Sequence, residues 1–241
     1  MSNDLVILSA IVFTAFMVEA AAGFGSMLIA VTVGVTMFPL EPLLAWLVPV
    51  NITLSTYLVS RGYRVVAWRF LFVGLLPLMI AGLIVGTLLR GQLSGGWLKL
   101  AFGVFVMLVG VSQLRRKGEP KPLTTPVRTG LLLAAGLVHG VFATGGPLAV
   151  VVASREIKEK AAFRATLSCL WGVLNGLLIP KLPMSLDTLR TSALMLPALG
   201  LGIVVGEIVH RRLDEARFRK VIAVMLVFAG GVLAVKQLVS A

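Results

Sequence analysis

Eight long apolar runs divide the chain, and their lengths restrict the folds that it can adopt. A helix needs about 20 mostly apolar residues to cross a bilayer. Membrane barrels need strands of alternating polarity, whereas these runs are continuous. With 58% hydrophobic and 13% charged residues, we predict an all-α polytopic membrane protein. The runs cover residues 5–38, 42–60, 68–89, 97–114, 127–153, 162–179, 188–209 and 218–239.

Two of these runs contain a glycine-rich interruption. The run 5–38 is too long for one crossing and is cut at Gly23-Phe24-Gly25, and the run 127–153 is cut at Gly145-Gly146-Pro147. An interruption frees backbone N–H and C=O groups, so it must be buried in protein or line a polar cavity. We predict that these two runs enter the membrane and return, as re-entrant hairpins or pairs of short helices. The other six runs are predicted to be simple spans.

The chain matches itself when it is shifted by 120 residues, which indicates an internal duplication. Glycine and proline pairs carry this match, because apolar pairs arise easily by chance. We predict two membrane repeats, residues 1–114 and 127–241, joined by a cytoplasmic linker at 115–126. The matching pairs include Gly25 with Gly145, Pro77 with Pro197, Gly82 with Gly202, Gly86 with Gly206, and Gly110 with Gly230.

The basic residues predict how the two repeats are oriented. If all eight runs crossed, the 22 Lys and Arg residues would divide evenly, against the usual excess of positive charge in cytoplasmic loops. If the two interrupted runs return, 17 of the 22 lie on one side. The repeats are then inverted copies, each a broken segment plus three spanning helices, with both termini non-cytoplasmic. These loops account for the net charge of +12, so no nucleic-acid partner is expected.

The two interruptions are the predicted binding site. A helix N-terminus presents free N–H groups and a partial positive charge, which together favour an anion. Two such ends that meet near the midplane would hold a small anion. The competing interpretation is that the glycines only allow close helix packing, as we expect for Gly82, Gly86, Gly202 and Gly206. The predicted substrate-binding residues here are Gly23, Phe24, Gly25, Ser26, Thr144, Gly145, Gly146 and Pro147.

Polar residues inside the apolar runs are further candidates, because ionisable groups at membrane depth usually face the bundle interior. Asn51 and Asn175 are suited to donate amide N–H groups to the anion, or to join helices. Glu19 and His139 occupy equivalent repeat positions and are predicted proton carriers, with an interhelical hydrogen bond as the alternative. Glu207 is expected to pair with the cations at 210–212.

Enzyme motifs are absent from the sequence. Two histidines and one cysteine argue against a zinc site. There is no phosphate-binding glycine loop of the kind that holds ATP. We therefore expect no enzymatic activity, no metal and no cofactor.

The chain resembles the sulfite exporter TauE/SafE family, also called the 4-toluene sulfonate uptake permease family. Ala22-Gly-Phe-Gly-Ser-Met-Leu28 and Gly140-Val-Phe-Ala-Thr-Gly-Gly-Pro-Leu148 carry the resemblance. It implies a multi-pass plasma-membrane permease for sulfite, a sulfonate or a related organic acid.

These observations predict a secondary transporter of a small anion, working by alternating access and coupled to protons. The alternatives are a membrane scaffold or accessory subunit without transport, and a passive anion channel. The lipid bilayer and a small anionic substrate are the expected partners, and a homodimer is left open.

Overall fold

The computed structural model describes residues 2–90, 96–115, 123–212 and 215–239, and the regular structure in these ranges is helical. The predicted all-α class is confirmed. A π-helical segment at Phe70–Leu75 leads into the fourth helix. The helices are α1 Ser2–Ala22, α2 Ser26–Gly34, α3 Leu40–Gly62, α4 Leu76–Arg90, α5 Gly96–Arg115, α6 Thr125–Phe142, α7 Gly146–Glu156, α8 Lys160–Leu178, α9 Leu186–Leu194, α10 Leu196–Arg212 and α11 Glu215–Val239.

Six helical stretches in the described ranges are long and apolar enough to cross a membrane. Two of them, in α1 and α6, belong to the interrupted runs, which were expected to differ from simple spans. They qualify because each interruption follows a helix of 21 or 18 residues. The six stretches are Asn3–Ala22, Leu40–Val65, Phe70–Arg90, Thr125–Phe142, Lys160–Lys181 and Leu186–Arg212.

Both interruptions are present at the predicted places. The first separates α1 from α2. Its Gly23 and Gly25 have φ angles of 83° and 107°, which residues with a Cβ atom rarely adopt. The second separates α6 from α7 and passes through Ala143 at φ 55°. It begins two residues earlier than predicted, because α6 ends at Phe142, and α7 then starts at Gly146 with Pro147 in its first turn.

The helices that follow the interruptions are short. At 1.5 Å per residue, α2 with 9 residues and α7 with 11 residues are each only about half the thickness of a bilayer. The helix α2 packs beside α1, and α7 packs beside α6. Each interrupted run is therefore a long helix followed by a short one that contacts it.

Glycines bring the long helices into backbone contact at positions that differ by 120 residues. In α4, a Cβ atom added to Gly82 or Gly86 would collide with the carbonyl oxygen of Leu133 or Leu137 in α6. In α10, a Cβ atom added to Gly202 would lie 3.0 Å from the carbonyl oxygen of Phe13, and one added to Gly206 would lie 2.7 Å from that of Met17. The predicted packing role of these four glycines is confirmed, and residues 13 and 17 are the repeat positions of 133 and 137.

Polar contacts join the charged ends of α6, α7, α8 and α10. Arg128 and Glu156 form an ion pair at 3.5 Å, and Arg164 and Glu207 form one at 3.0 Å. The Lys160 ammonium donates to the carbonyl oxygen of His210 at 3.1 Å. The expectation that Glu207 pairs with the cations of its own helix is wrong, because its ion-pair partner is Arg164 of α8. Most of the predicted linker, at 116–122, lies outside the described residues.

Replacing Gly136 by alanine should destabilise the protein, because the new methyl group would collide with the carbonyl oxygen of Met79 in α4. Overpacking of this kind costs roughly 1–3 kcal/mol. Gly130 lies in the same helix with nothing within 4 Å of an added methyl group, so Gly130→Ala should be neutral or stabilise by up to about 1 kcal/mol. Thermal unfolding in detergent measures both variants. Equal midpoints would contradict the contact between α4 and α6.

Candidate functional site

The two interruptions line one small cavity of about 20 Å³. Residues on both sides of the predicted linker in the sequence contribute to it. The cavity is also lined by four residues that were not among the predicted site residues, Met27, Leu28, Ala143 and Trp171. Seven of the predicted site residues line it: Glu19, Gly25, Asn51, His139, Thr144, Gly146 and Asn175.

The Glu19 carboxylate lies at the beginning of α2, although it belongs to α1. It is 2% exposed and accepts a hydrogen bond from the Ser26 hydroxyl. The Asn51 amide nitrogen lies 3.1 Å from both carboxylate oxygens and also donates to the Ser26 hydroxyl oxygen at 2.9 Å. Donors from α2 and α3 therefore surround this buried carboxylate, as a charge in a low-dielectric interior requires.

A chain of hydrogen bonds continues from Glu19 to the second interruption. The Asn175 amide nitrogen donates to the Asn51 side-chain oxygen at 2.6 Å. The Asn175 side-chain oxygen lies 3.2 Å from His139 Nε2, and the Gly145 backbone N–H donates to His139 Nδ1 at 3.4 Å. Because Nδ1 accepts, Nε2 is the nitrogen that carries the proton. Every donor in this chain points toward Glu19.

Trp171 connects α8 to both interruptions and was missed by the sequence analysis. Its indole N–H donates to the carbonyl oxygen of Gly23 at 3.0 Å, and its ring stacks on His139 with centroids 5.9 Å apart. A usable signal was present in the sequence. Trp171 lies one helical turn before Asn175 on the same face, and it is the repeat position of Asn51.

Three of the last four carbonyl groups of α1 accept hydrogen bonds from other parts of the protein. Gly23 N–H donates to Glu19 O at 2.7 Å, Arg164 donates to Ala20 O at 2.8 Å, and His210 Nδ1 donates to Ala21 O at 2.7 Å. Basic side chains at a helix C-terminus also complement its partial negative charge. These contacts allow α1 to end next to the cavity without exposing unsatisfied carbonyls to lipid.

Thr144 differs from the other polar residues of the cavity. It is 2% exposed, and its hydroxyl oxygen has no hydrogen-bond partner in the described part of the chain. An unpaired buried hydroxyl is costly. The Thr144 hydroxyl is therefore available to a polar group placed in the cavity.

Five predicted site residues do not line the cavity: Gly23, Phe24, Ser26, Gly145 and Pro147. Ser26 contacts the site through Glu19. A Cβ atom on Gly23 would lie 2.7 Å from the Cα atom of Arg164, and one on Gly145 would collide with the carbonyl oxygen of Ala135. These glycines therefore permit the close packing of the two breaks, while Gly25 and Gly146 lie at the cavity itself.

The fold and the site together define a multi-pass α-helical membrane protein with a buried polar cavity between two interrupted helices. Sequence comparison then gives the family. The model of the family described as Sulfite exporter TauE/SafE matches residues 8–233. The chain belongs to this family of membrane transporters, so the predicted family is confirmed.

A curated relative is similar over most of both chains. It is described as "Probable inner membrane transporter protein TsaS" from Comamonas testosteroni. The two proteins are 29% identical over 179 residues, which cover 70% of this chain and 73% of the relative. No solved structure gives a significant match.

Proposed function

We propose that this protein is a secondary transporter that moves a small sulfur-containing anion, sulfite or a sulfonate, across the plasma membrane. One observation carries the proposal: the N-terminal ends of α2 and α7 both border the same small buried cavity, which Asn51, Thr144 and Asn175 help to line. The first N–H groups of a helix have no partner within that helix, and they carry a partial positive charge. An anion is the ligand that such ends favour.

The rest of the cavity lining suits an oxyanion with an organic substituent. The Thr144 hydroxyl is unpaired and can donate to an oxygen of the ligand. Asn51 and Asn175 supply amide groups. Met27, Leu28 and Trp171 form an apolar wall, which accommodates the carbon substituent of a sulfonate.

The size of the cavity supports a transport cycle with moving parts. A volume of about 20 Å³ holds roughly one water molecule, which is smaller than a sulfite ion. The anion therefore requires the two breaks to move apart, and it leaves when they separate toward the other side. Alternating access between two halves supplies this motion.

The two halves, residues 1–114 and 127–241, are inverted repeats in this proposal, and the linker 115–126 is cytoplasmic. Backbone contacts of the α4–α6 and α1–α10 pairs at positions 120 residues apart support the duplication. The polar contacts among Arg128, Glu156, Arg164 and Glu207 support a shared side for the basic loops. By the positive-inside rule that side is cytoplasmic, and both termini lie on the other side.

Reporter fusions test this orientation. A fluorescent protein that matures only in the cytoplasm should be dark at either terminus, whereas a phosphatase that folds only outside should be active there. The same pair of reporters inserted in the linker near Lys117 should give the reverse pattern. A fluorescent fusion at either terminus would contradict the inverted arrangement.

Glu19 and His139 are the two ionisable residues of the cavity, so we propose that the coupled proton is carried by one of these two groups. A proton gradient would then drive the anion against its own gradient. A passive channel would conduct without this dependence, and a scaffold protein would not conduct at all.

Replacing Thr144 by valine should weaken anion transport, because it removes the unpaired hydroxyl while keeping the side-chain shape. A hydrogen bond to a charged group is worth about 1.5–3 kcal/mol, or roughly tenfold or more in affinity. We expect a corresponding rise in the half-saturation concentration for sulfite or methanesulfonate flux into proteoliposomes that contain only this chain. Thr144→Ser, which keeps the hydroxyl, should remain close to wild type.

Three outcomes would contradict the proposal. Wild-type flux in Thr144→Val would show that the Thr144 hydroxyl does not bind the transported anion. Flux that never saturates and ignores a pH gradient would favour the channel. Absence of flux for every sulfur anion would favour the scaffold.

A further inference from the structure

We propose that the Glu19 carboxylate is negatively charged in the empty cavity and becomes neutral, by taking up a proton, when the substrate anion binds in the same cavity. The transported anion binds at the second break, on Thr144 and the first turn of α7, and Glu19 takes up one proton as the anion arrives. This inference rests on the proposed transport function and specifies where the anion sits and which group is protonated.

The first break already holds a negative group. Ser26 is the first residue of α2, and its hydroxyl donates to the Glu19 carboxylate. The Asn51 amide lies 3.1 Å from both oxygens of the same carboxylate. The side-chain donors at this helix N-terminus are therefore bonded to a carboxylate of the protein itself.

The second break has no acidic side chain at the corresponding position. The residue equivalent to Glu19 is His139, which brings no negative charge to the N-terminus of α7. The Thr144 hydroxyl beside it is buried and has no hydrogen-bond partner among the described residues. Gly146 also lines the cavity, and a Cβ atom added to it would approach only Trp171, at 3.8 Å. The unused donor and the open backbone lie at the second break, so the anion is placed there.

The hydrogen bonds of His139 leave it without a position for a second proton. Its Nε2 faces the Asn175 oxygen at 3.2 Å, and its Nδ1 accepts from the Gly145 N–H at 3.4 Å. A proton on Nδ1 would face another donor. Glu19 has the opposite property, because a proton on its Oε2 can be donated to the Ser26 hydroxyl oxygen once that hydroxyl rotates, while its Oε1 still accepts from Asn51.

Among the residues that the structure describes, no cation forms an ion pair with the Glu19 carboxylate. The neighbouring helix α10 contributes Glu207 and His210, and α8 contributes Arg164. Arg164 bonds Glu207 and the carbonyl oxygen of Ala20, and His210 bonds the carbonyl oxygen of Ala21. The described partners of the Glu19 carboxylate on α2 and α3 are neutral.

Two negative charges would repel strongly in so small a cavity. At about 4 Å and an effective dielectric constant near 20, the repulsion suppresses binding by on the order of a thousandfold. Protonation of Glu19 removes it. Each bound anion is then accompanied by one proton, and binding strengthens as the pH falls.

Calorimetry with methanesulfonate tests this stoichiometry, because that anion keeps one negative charge throughout the pH range used. Titrations of the full chain in two buffers of different ionisation enthalpy give the number of protons taken up. For wild type we expect one proton to be taken up per bound anion. The affinity should weaken by up to tenfold for each unit by which the pH rises between about pH 5 and pH 8. Glu19→Gln should bind with no proton uptake and no pH dependence.

Two further variants and one spectroscopic measurement complete the test. His139→Gln should still take up a proton if it binds, and Glu41→Gln, an exposed residue outside the cavity, should match wild type. Infrared difference spectra of the wild type should show a new protonated-carboxyl band when methanesulfonate is added, which keeps the test valid if Glu19→Gln does not fold.

The outcomes separate this inference from the proposed function. Binding by wild type without proton uptake, or proton uptake that persists in Glu19→Gln, would overturn the role of Glu19 and leave the transporter standing. Absence of methanesulfonate and sulfite binding in wild type, together with absence of flux, would overturn both.

Discussion

The backbone groups freed by the two interruptions determine the rest of this structure. Lipid offers them no partner, so the protein must bond them itself. The carbonyl oxygens of Ala20, Ala21 and Gly23 accept from Arg164, His210 and Trp171, and the Gly145 N–H donates to His139. Three of these four side chains belong to α8 and α10, which follow the second break in the sequence, and they bond the first break. Each break therefore depends on side chains from helices that are distant in the sequence, and the cavity lies where these helices meet.

The chain of hydrogen bonds from Gly145 to Glu19 has all its donors oriented the same way. Its members are buried side chains of α6, α8, α3 and α1, and each donor faces the carboxylate. Hydrogen bonds in series polarise one another in a low-dielectric interior, so the chain stabilises a negative charge at its Glu19 end. A negative ligand at its other end changes that balance. The same contacts that hold the helices together therefore make the two ends of the cavity unequal.

Much of the fold was predictable, because membrane insertion leaves strong signals in a sequence. Four of the six predicted simple spans, the two breaks and the packing glycines were read correctly from length and from pairs spaced by 120 residues, whereas the runs 97–114 and 218–239 give only shorter apolar helices among the described residues. Partner choice was not predictable: Glu207 bonds Arg164 of α8 and not the cations of its own helix, since tertiary packing decides which helix faces it. Trp171 was overlooked because a tryptophan in an apolar run is usually read as packing, whereas here its indole N–H satisfies a carbonyl of the first break.

The central claim is that one anion binds where the two interrupted helices converge. Anomalous diffraction from crystals of the full chain grown with selenite, the selenium counterpart of sulfite, tests it directly, because the selenium signal locates the ion without reference to the protein density. The account predicts a peak beside Thr144 and Gly146, with the cavity widened relative to its present volume of about 20 Å³. A peak found only among the surface basic loops, with the Thr144 hydroxyl still unpaired in a closed cavity, would contradict it.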